Sequence, residues 1–232
     1  MDQEPRTGEY DPPMLAAVIF DFDGIVLDSE TPEYESHRRI YERHGVTLTV
    51  DEWCGVIGTW SEGHDEQWFR RLCERAPDAP ERVAYFEERR RLFEEIVPAD
   101  PMRGVRDLLT ALRDAHVPAA IASSAPARWV VGAVERLGIN QLFSAVVTGD
   151  QVTHRKPAPD VYLTAAQRLG ADPRLSVAIE DSSTGIAAAR AAGMKTVAIP
   201  HWLTERHDLS AADLIVEHAG LLTLDRLEAL IG

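Results

Sequence analysis

The chain has 232 residues, 45% of them hydrophobic and 27% charged, which fits a soluble globular protein of one large or two modest domains. Its formal net charge of −14 argues against a nucleic-acid backbone as partner, although a metal and a few local cations can still dominate one cleft. Two cysteines, Cys54 and Cys73, are too few for a disulfide framework and follow no metal spacing, so free thiols in a reducing compartment are expected.

Residues 1–13 (MDQEPRTGEYDPP) read as a loose tail. They contain no apolar core of a signal peptide, and no apolar run in the chain approaches membrane-spanning length, so a cytoplasmic protein is expected. The first element is the run Ala16-Ala17-Val18-Ile19-Phe20, apolar at every position, as in a strand covered on both faces. It stops at Asp21, and Asp23 and Gly24 follow. In extended backbone, residues two apart point the same way, so the two carboxylates converge on one small place. Asp and Gly are also ordinary turn residues, and this stretch alone does not separate an Asp-rich turn from a site.

From residue 31 to 101 the texture is helical, with patterns at 32–44, 50–57, 62–75 and 81–97 and no convincing strand. Such a block directly after a buried strand reads as an inserted second domain, closed by the linker around Pro98, Asp100 and Pro101. Beyond it, helix and strand alternate. Helices are expected at 105–115, 126–137, 159–169, 183–192 and 221–230, and strands at 118–122, 145–147, 175–179, 196–199 and 214–216. This alternation implies right-handed crossovers and an α/β fold: a Rossmann-like, doubly wound, mostly parallel sheet. The expected division is a core of residues 14–30 and 102–232 with an α-helical cap at 31–101.

Four chain segments next to strands end in polar groups: Asp21 and Asp23, Ser123, the loop carrying Lys156, and Glu180 with Asp181. Carboxyl ends of parallel strands share one edge of the sheet, so these groups can meet although they are distant in sequence. They supply carboxylates for a hard cation, a hydroxyl and an ammonium, the set that phosphoryl transfer needs. Lys156 stands out because only it and Lys195 are lysines among 24 Lys and Arg residues. Lys195 fits no motif and reads as a surface residue.

Asp21-x-Asp23-Gly24, Ser123, Lys156-Pro157-x-Pro159-Asp160 and Glu180-Asp181-Ser182-x-x-Gly185 resemble, in order, the four motifs of the haloacid dehalogenase-like hydrolase superfamily. The nearest part of it is the β-phosphoglucomutase-like phosphatases with a helical cap, and the resemblance runs from about Met14 onward. It implies an aspartyl-phosphate mechanism on a small phosphorylated metabolite of sugar or polyol type. Asp21 would be the nucleophile and Asp23 the acid that protonates the leaving alcohol and then activates water. Ser123, and less directly Ser124, would bond a phosphoryl oxygen, and Lys156 would neutralise charge. The implied cofactor is Mg²⁺, held by Asp21, the backbone carbonyl of Asp23 and Asp181, with Glu180 either a ligand or standing behind one. Cap specificity would come from Glu33, Gly58, Thr59 and Trp60, with Arg128 offering a distal cation. No membrane or nucleic-acid partner is expected, and the base rate for the fold favours a monomer.

The family contains other activities. Asp23 argues against a dehalogenase, which generally lacks the second aspartate, and the absence of lysine from 31–101 argues against a Schiff-base phosphonate cleavage. A β-phosphoglucomutase-type mutase is the alternative; Glu33 stands where that branch has a histidine, and the loop Gly55–Glu62 has no basic residue to grip a second phosphate. A non-catalytic binding protein is a second alternative, disfavoured because Asp21 is intact.

Overall fold

A computed structural model describes residues 15–54, 64–205 and 207–232. The first strand, β1 (Ala17–Phe20), is buried at every position and forms the middle of a parallel sheet. Its companions are β2 (Ala119–Ala122), β3 (Ala145–Val147), β4 (Ser176–Glu180), β5 (Lys195–Ala198) and β6 (Leu214–Ile215), in the order β3-β2-β1-β4-β5-β6. Every pairing is parallel, with Ile19 in register with Ala120 on one side and Ala178 on the other. The chain first builds outward from β1 to β3, then returns to build from β4 to β6. That reversal makes the gap between β1 and β4 the switch point, where a crevice opens beyond the carboxyl ends.

Alternation along β1 splits its side chains between two layers. Val18 and Phe20 join the cluster formed with α5 (Val105–Asp114), α6 (Ala127–Arg136) and α9 (Leu224–Ile231). Ile19 faces the other way, onto α7 (Asp160–Leu169) and α8 (Ser183–Ala191), where alanines 165, 166, 188 and 189 let the helices lie close. This is the doubly wound arrangement expected from the alternating pattern.

Between β1 and α5 lie four helices: α1 (Glu30–Arg43), α2 (Val50–Cys54), α3 (His64–Arg75) and α4 (Arg82–Ile96). They bury an apolar cluster apart from the sheet, including Tyr34, Tyr41, Trp53, Trp68, Tyr85 and Leu92. Trp53 and Trp68 stack at 4.9 Å between ring centroids. The described parts of the two middle helices agree with the expected 50–57 and 62–75; residues 55–63, including Gly58, Thr59 and Trp60, lie outside the described residues.

The last helix starts later than its apolar pattern suggested. Residues Ala219–Leu221 form a short 3₁₀ turn, and the Thr223 hydroxyl accepts from the Arg226 N–H, which sets the first turn of α9 at Leu224. Apolar periodicity reads the buried face but not the capping bond.

One core residue belongs to the helical cluster. Leu203, in the segment after β5, is fully buried among the insert's aromatic residues, and the Cys54 thiol donates to its carbonyl at 3.1 Å. Leu203→Ala is expected to destabilise the protein by about 2–5 kcal/mol, the usual cost of truncating a fully buried leucine, measured by urea unfolding at equilibrium.

Candidate active site

β1 delivers Asp21 to the crevice, where its backbone N–H donates to the Ile179 carbonyl of β4 at 2.9 Å. The chain then turns sharply at Gly24, whose φ of +78° suits glycine. A side chain there would also meet the Asp181 carboxylate, since a Cβ would fall 2.5 Å from its Oδ2. Gly24 therefore permits both the turn and the approach of Asp181.

The Lys156 ammonium organises the carboxylates. Its Nζ donates to Asp21 Oδ1 at 2.8 Å and to Glu180 Oε1 at 2.6 Å, and the side chain is 5% exposed. Burial opposes the charged form, but the charges of Asp21 and Glu180 outweigh it, so the ammonium holds its proton more tightly than usual. Glu180 is held by further donors: Tyr162 OH on Oε1 at 2.6 Å, and on Oε2 the N–H of Asp181, the N–H of Ser182 and the Ser182 hydroxyl. The Ser182 hydroxyl also accepts from the Gly185 N–H, capping α8.

Asp21, Glu180 and Asp181 each place a carboxylate oxygen within 4.8 Å of the others, all buried. Burial first, then Glu180, raises Asp21 to about 7 despite Lys156. Burial likewise raises Asp181, with Glu180 and Asp21 adding to it. Among the described residues, Lys156 is the one cation bonded to this group. A buried oxygen-rich cluster with so little compensating positive charge fits a hard divalent cation. Within it, the donors already on both oxygens of Glu180 leave Asp21 and Asp181 with the more available lone pairs.

Asp23 lies beside this cluster. Its Oδ1 accepts from the Ser29 hydroxyl at 2.6 Å and from the indole N–H of Trp129 at 2.9 Å, and its Oδ2 accepts from the Ser123 hydroxyl at 3.4 Å. Burial nonetheless keeps its pKa above the ordinary value. Ser29 precedes α1 but does not cap it with its hydroxyl; Asp28 takes that work, accepting from the Thr31 N–H at 2.9 Å. Ser123 is fully buried at the end of β2. His154 is tied to Asp160 at 3.0 Å in the loop before α7, consistent with a loop histidine.

The remaining expected residues are placed differently. Ser124 is half-buried next to Ser123. Arg128 is exposed, and no ion pair or hydrogen bond joins it to the cluster among the described residues. Glu33 pairs with Arg89 of α4, whose guanidinium also lies 5.4 Å from the Phe93 ring. Three contributors are not evident from sequence motifs. Trp129 sits on a mostly apolar helix, and Arg89 is one of many charged residues of α4, so no motif singles out either. Glu30 is nearer to detection, being next to Ser29; burial, then Asp23, Asp21 and Asp28, raises its pKa to about 8.

The family described as haloacid dehalogenase-like hydrolase matches residues 18–199. The chain belongs to that family. It is 38% identical over 192 residues to YhcW of Bacillus subtilis, covering 82% of this chain and 86% of that protein. It is 32% identical over 188 residues to a protein of Thermotoga maritima named phosphorylated carbohydrates phosphatase, covering 79% and 84%. A haloacid dehalogenase family hydrolase of Deinococcus radiodurans, solved with bound phosphate and sodium, superposes with a TM-score of 0.73 at 25% identity, covering 94% and 98%. As a haloacid dehalogenase-like hydrolase of phosphatase type, the protein is an enzyme. No helix among its described residues is long and apolar enough to cross a membrane.

Two outcomes are expected. A Cβ at Gly185 would fall 1.8 Å from Glu180 Oε1, so Gly185→Ala must displace the carboxylate that holds Lys156. Phosphatase kcat is expected to fall about 100-fold, the scale of a misplacement near 1 Å, while circular dichroism keeps its helical signal. Glu30 binds its proton more tightly folded than unfolded, so its contribution to stability is full below pH 4.5 and is lost as pH rises to about 8. In metal-free protein the urea midpoint should decline across that window, and Glu30→Gln should flatten the decline.

Proposed function

We propose that the protein is a Mg²⁺-dependent phosphatase that hydrolyses a small phosphate monoester of sugar or polyol type through an aspartyl-phosphate on Asp21. The observation that carries this reading is the Lys156 bridge between Asp21 and Glu180, beside the buried Asp181, at the switch point of the sheet. A cation and a nucleophilic carboxylate side by side suit attack on a phosphoryl group, whose equatorial oxygens carry the charge to be neutralised.

Asp21 and Asp181 would hold Mg²⁺, with the Asp23 carbonyl, and Glu180 would stand behind as the anchor of Lys156. Bound there, the ion supplies positive charge to phosphoryl oxygens and keeps the clustered carboxylates ionised. Asp21 attacks phosphorus and breaks the bond to the leaving oxygen, which takes the electron pair and a proton from Asp23. Asp23, now a carboxylate, then takes a proton from the water that attacks the acyl phosphate, which frees inorganic phosphate and restores Asp21. Ser123 directs its hydroxyl toward the same space. Lys156 lowers the cost of bringing a phosphate dianion to a carboxylate.

The helical segment 31–101 acts in this reading as a cap over the crevice, excluding water from the first step. Gly58, Thr59 and Trp60 remain cap residues by position alone. The Glu33–Arg89 pair offers an acceptor and donors suited to hydroxyl groups of a polyol. The sugar-phosphate class draws support from the Thermotoga relative, named for phosphorylated carbohydrates.

The test is release of inorganic phosphate from a panel of sugar, hexitol and aryl phosphates, with Mg²⁺ present and with the metal chelated. Hydrolysis should depend on the metal and fall at least about 1,000-fold in Asp21→Asn, as expected for removal of a nucleophile. Undiminished turnover by that variant would falsify the mechanism. Faster conversion of β-glucose 1-phosphate to glucose 6-phosphate than hydrolysis would establish the mutase instead.

A further inference from the structure

Asp23 Oδ1 accepts two hydrogen bonds, from Ser29 at 2.6 Å and from Trp129 Nε1 at 2.9 Å, while among the described residues Oδ2 meets only the longer Ser123 contact at 3.4 Å. The two donors on Oδ1 differ in kind. A hydroxyl can rotate and accept, so Ser29 alone would tolerate a proton on Oδ1. An indole N–H donates only, so Trp129 cannot. The direction of that N–H is fixed by packing: the ring meets Phe22 edge-on at 6.3 Å on the sheet side and Phe93 of α4 at 5.4 Å on the insert side. Such aromatic contacts hold a ring plane against rotation.

We propose that Trp129 is a positioning residue that keeps the transferable proton of Asp23 on Oδ2, the oxygen left for the leaving group. This rests on the assignment of Asp23 as the general acid. As Asp21 forms its bond to phosphorus, the bond to the leaving oxygen breaks with its electron pair, and the Oδ2 proton moves to that oxygen. The resulting Asp23 carboxylate keeps the indole N–H on Oδ1, which stabilises the charge it has just gained. Without the N–H, the proton can reside on Oδ1, where it does not reach the leaving group. Because Phe93 backs the indole, the acid of the core takes its orientation partly from the helical insert.

A general acid matters most when the leaving group is poor, so the readout is leaving-group dependence. Phenol, with a pKa near 10 like tyrosine, needs protonation far more than 4-nitrophenol does. Trp129→Phe keeps a ring against Phe22 and Phe93 but deletes the N–H. The ratio of kcat/KM for 4-nitrophenyl phosphate to that for phenyl phosphate should rise about tenfold in this variant, within the range that acid catalysis supplies. A purely structural role lowers both rates together and leaves the ratio at the wild-type value, and that result overturns the proposal. Replacement of Trp129 by benzothienylalanine, which has the shape of tryptophan without the N–H, gives the same readout if the phenylalanine variant does not fold. Asp23→Asn in parallel separates the two claims. A raised ratio there with an unchanged ratio at Trp129→Phe removes the role of Trp129 alone; an unchanged ratio in both removes the acid assignment with it.

Discussion

A buried ammonium between two buried carboxylates is the contact on which the crevice depends. Lys156 cannot leave Asp21 and Glu180 without stranding charge away from water, and neither carboxylate can lose Lys156 without the same penalty. The surrounding geometry serves that contact. Tyr162 donates to Glu180 and presents its ring 4.8 Å from the Lys156 ammonium, so one side chain supports both partners. The start of α8 closes around Glu180 so tightly that only glycine fits at 185. Two strands, two helices and the loop of Lys156 thereby agree on the position of a single nitrogen atom.

That nitrogen still leaves the crevice with excess negative charge. Asp21, Asp23, Asp181 and Glu30 are all raised above their ordinary values, with burial as the first cause in each. Such a cluster weakens the fold at neutral pH unless positive charge arrives. The same imbalance that weighs on the metal-free protein is what a bound hard cation would relieve, as the proposed mechanism requires. Stability and function draw on these carboxylates in opposite directions, which is common where a site must bind charge.

The fold was legible because its signals are local and redundant. The run ending at Phe20 is apolar on both faces, and its strand lies where a two-sided burial pattern requires. The polar ends of β1, β2 and β4 and the Lys156 loop could be gathered from sequence because parallel strands share an edge. What stayed hidden depends on side-chain direction across elements. Arg128 and Trp129 are adjacent in sequence, and the basic residue was the natural candidate. On the helix they diverge by about 100°, given 3.6 residues per turn, so one faces solvent while the other reaches Asp23. Likewise Glu33 carried a polar signal, but its partner Arg89 comes from α4, more than fifty residues on, and no spacing rule links them.

Trp129 also shows how the two apolar clusters communicate. The sheet cluster and the insert cluster are separate bodies of buried side chains, yet Trp129 packs on the first and touches Phe93 of α4 at 5.4 Å. Its single polar atom is spent on Asp23. A rigid ring with one directional donor transmits position better than a flexible polar side chain, because packing fixes the plane and the plane fixes the N–H. Leu203, from the segment after β5, joins the insert's cluster as an apolar side chain. The aromatic contact of Trp129 with Phe93 is therefore suited to tie the orientation of the Asp23 carboxyl to where α4 sits.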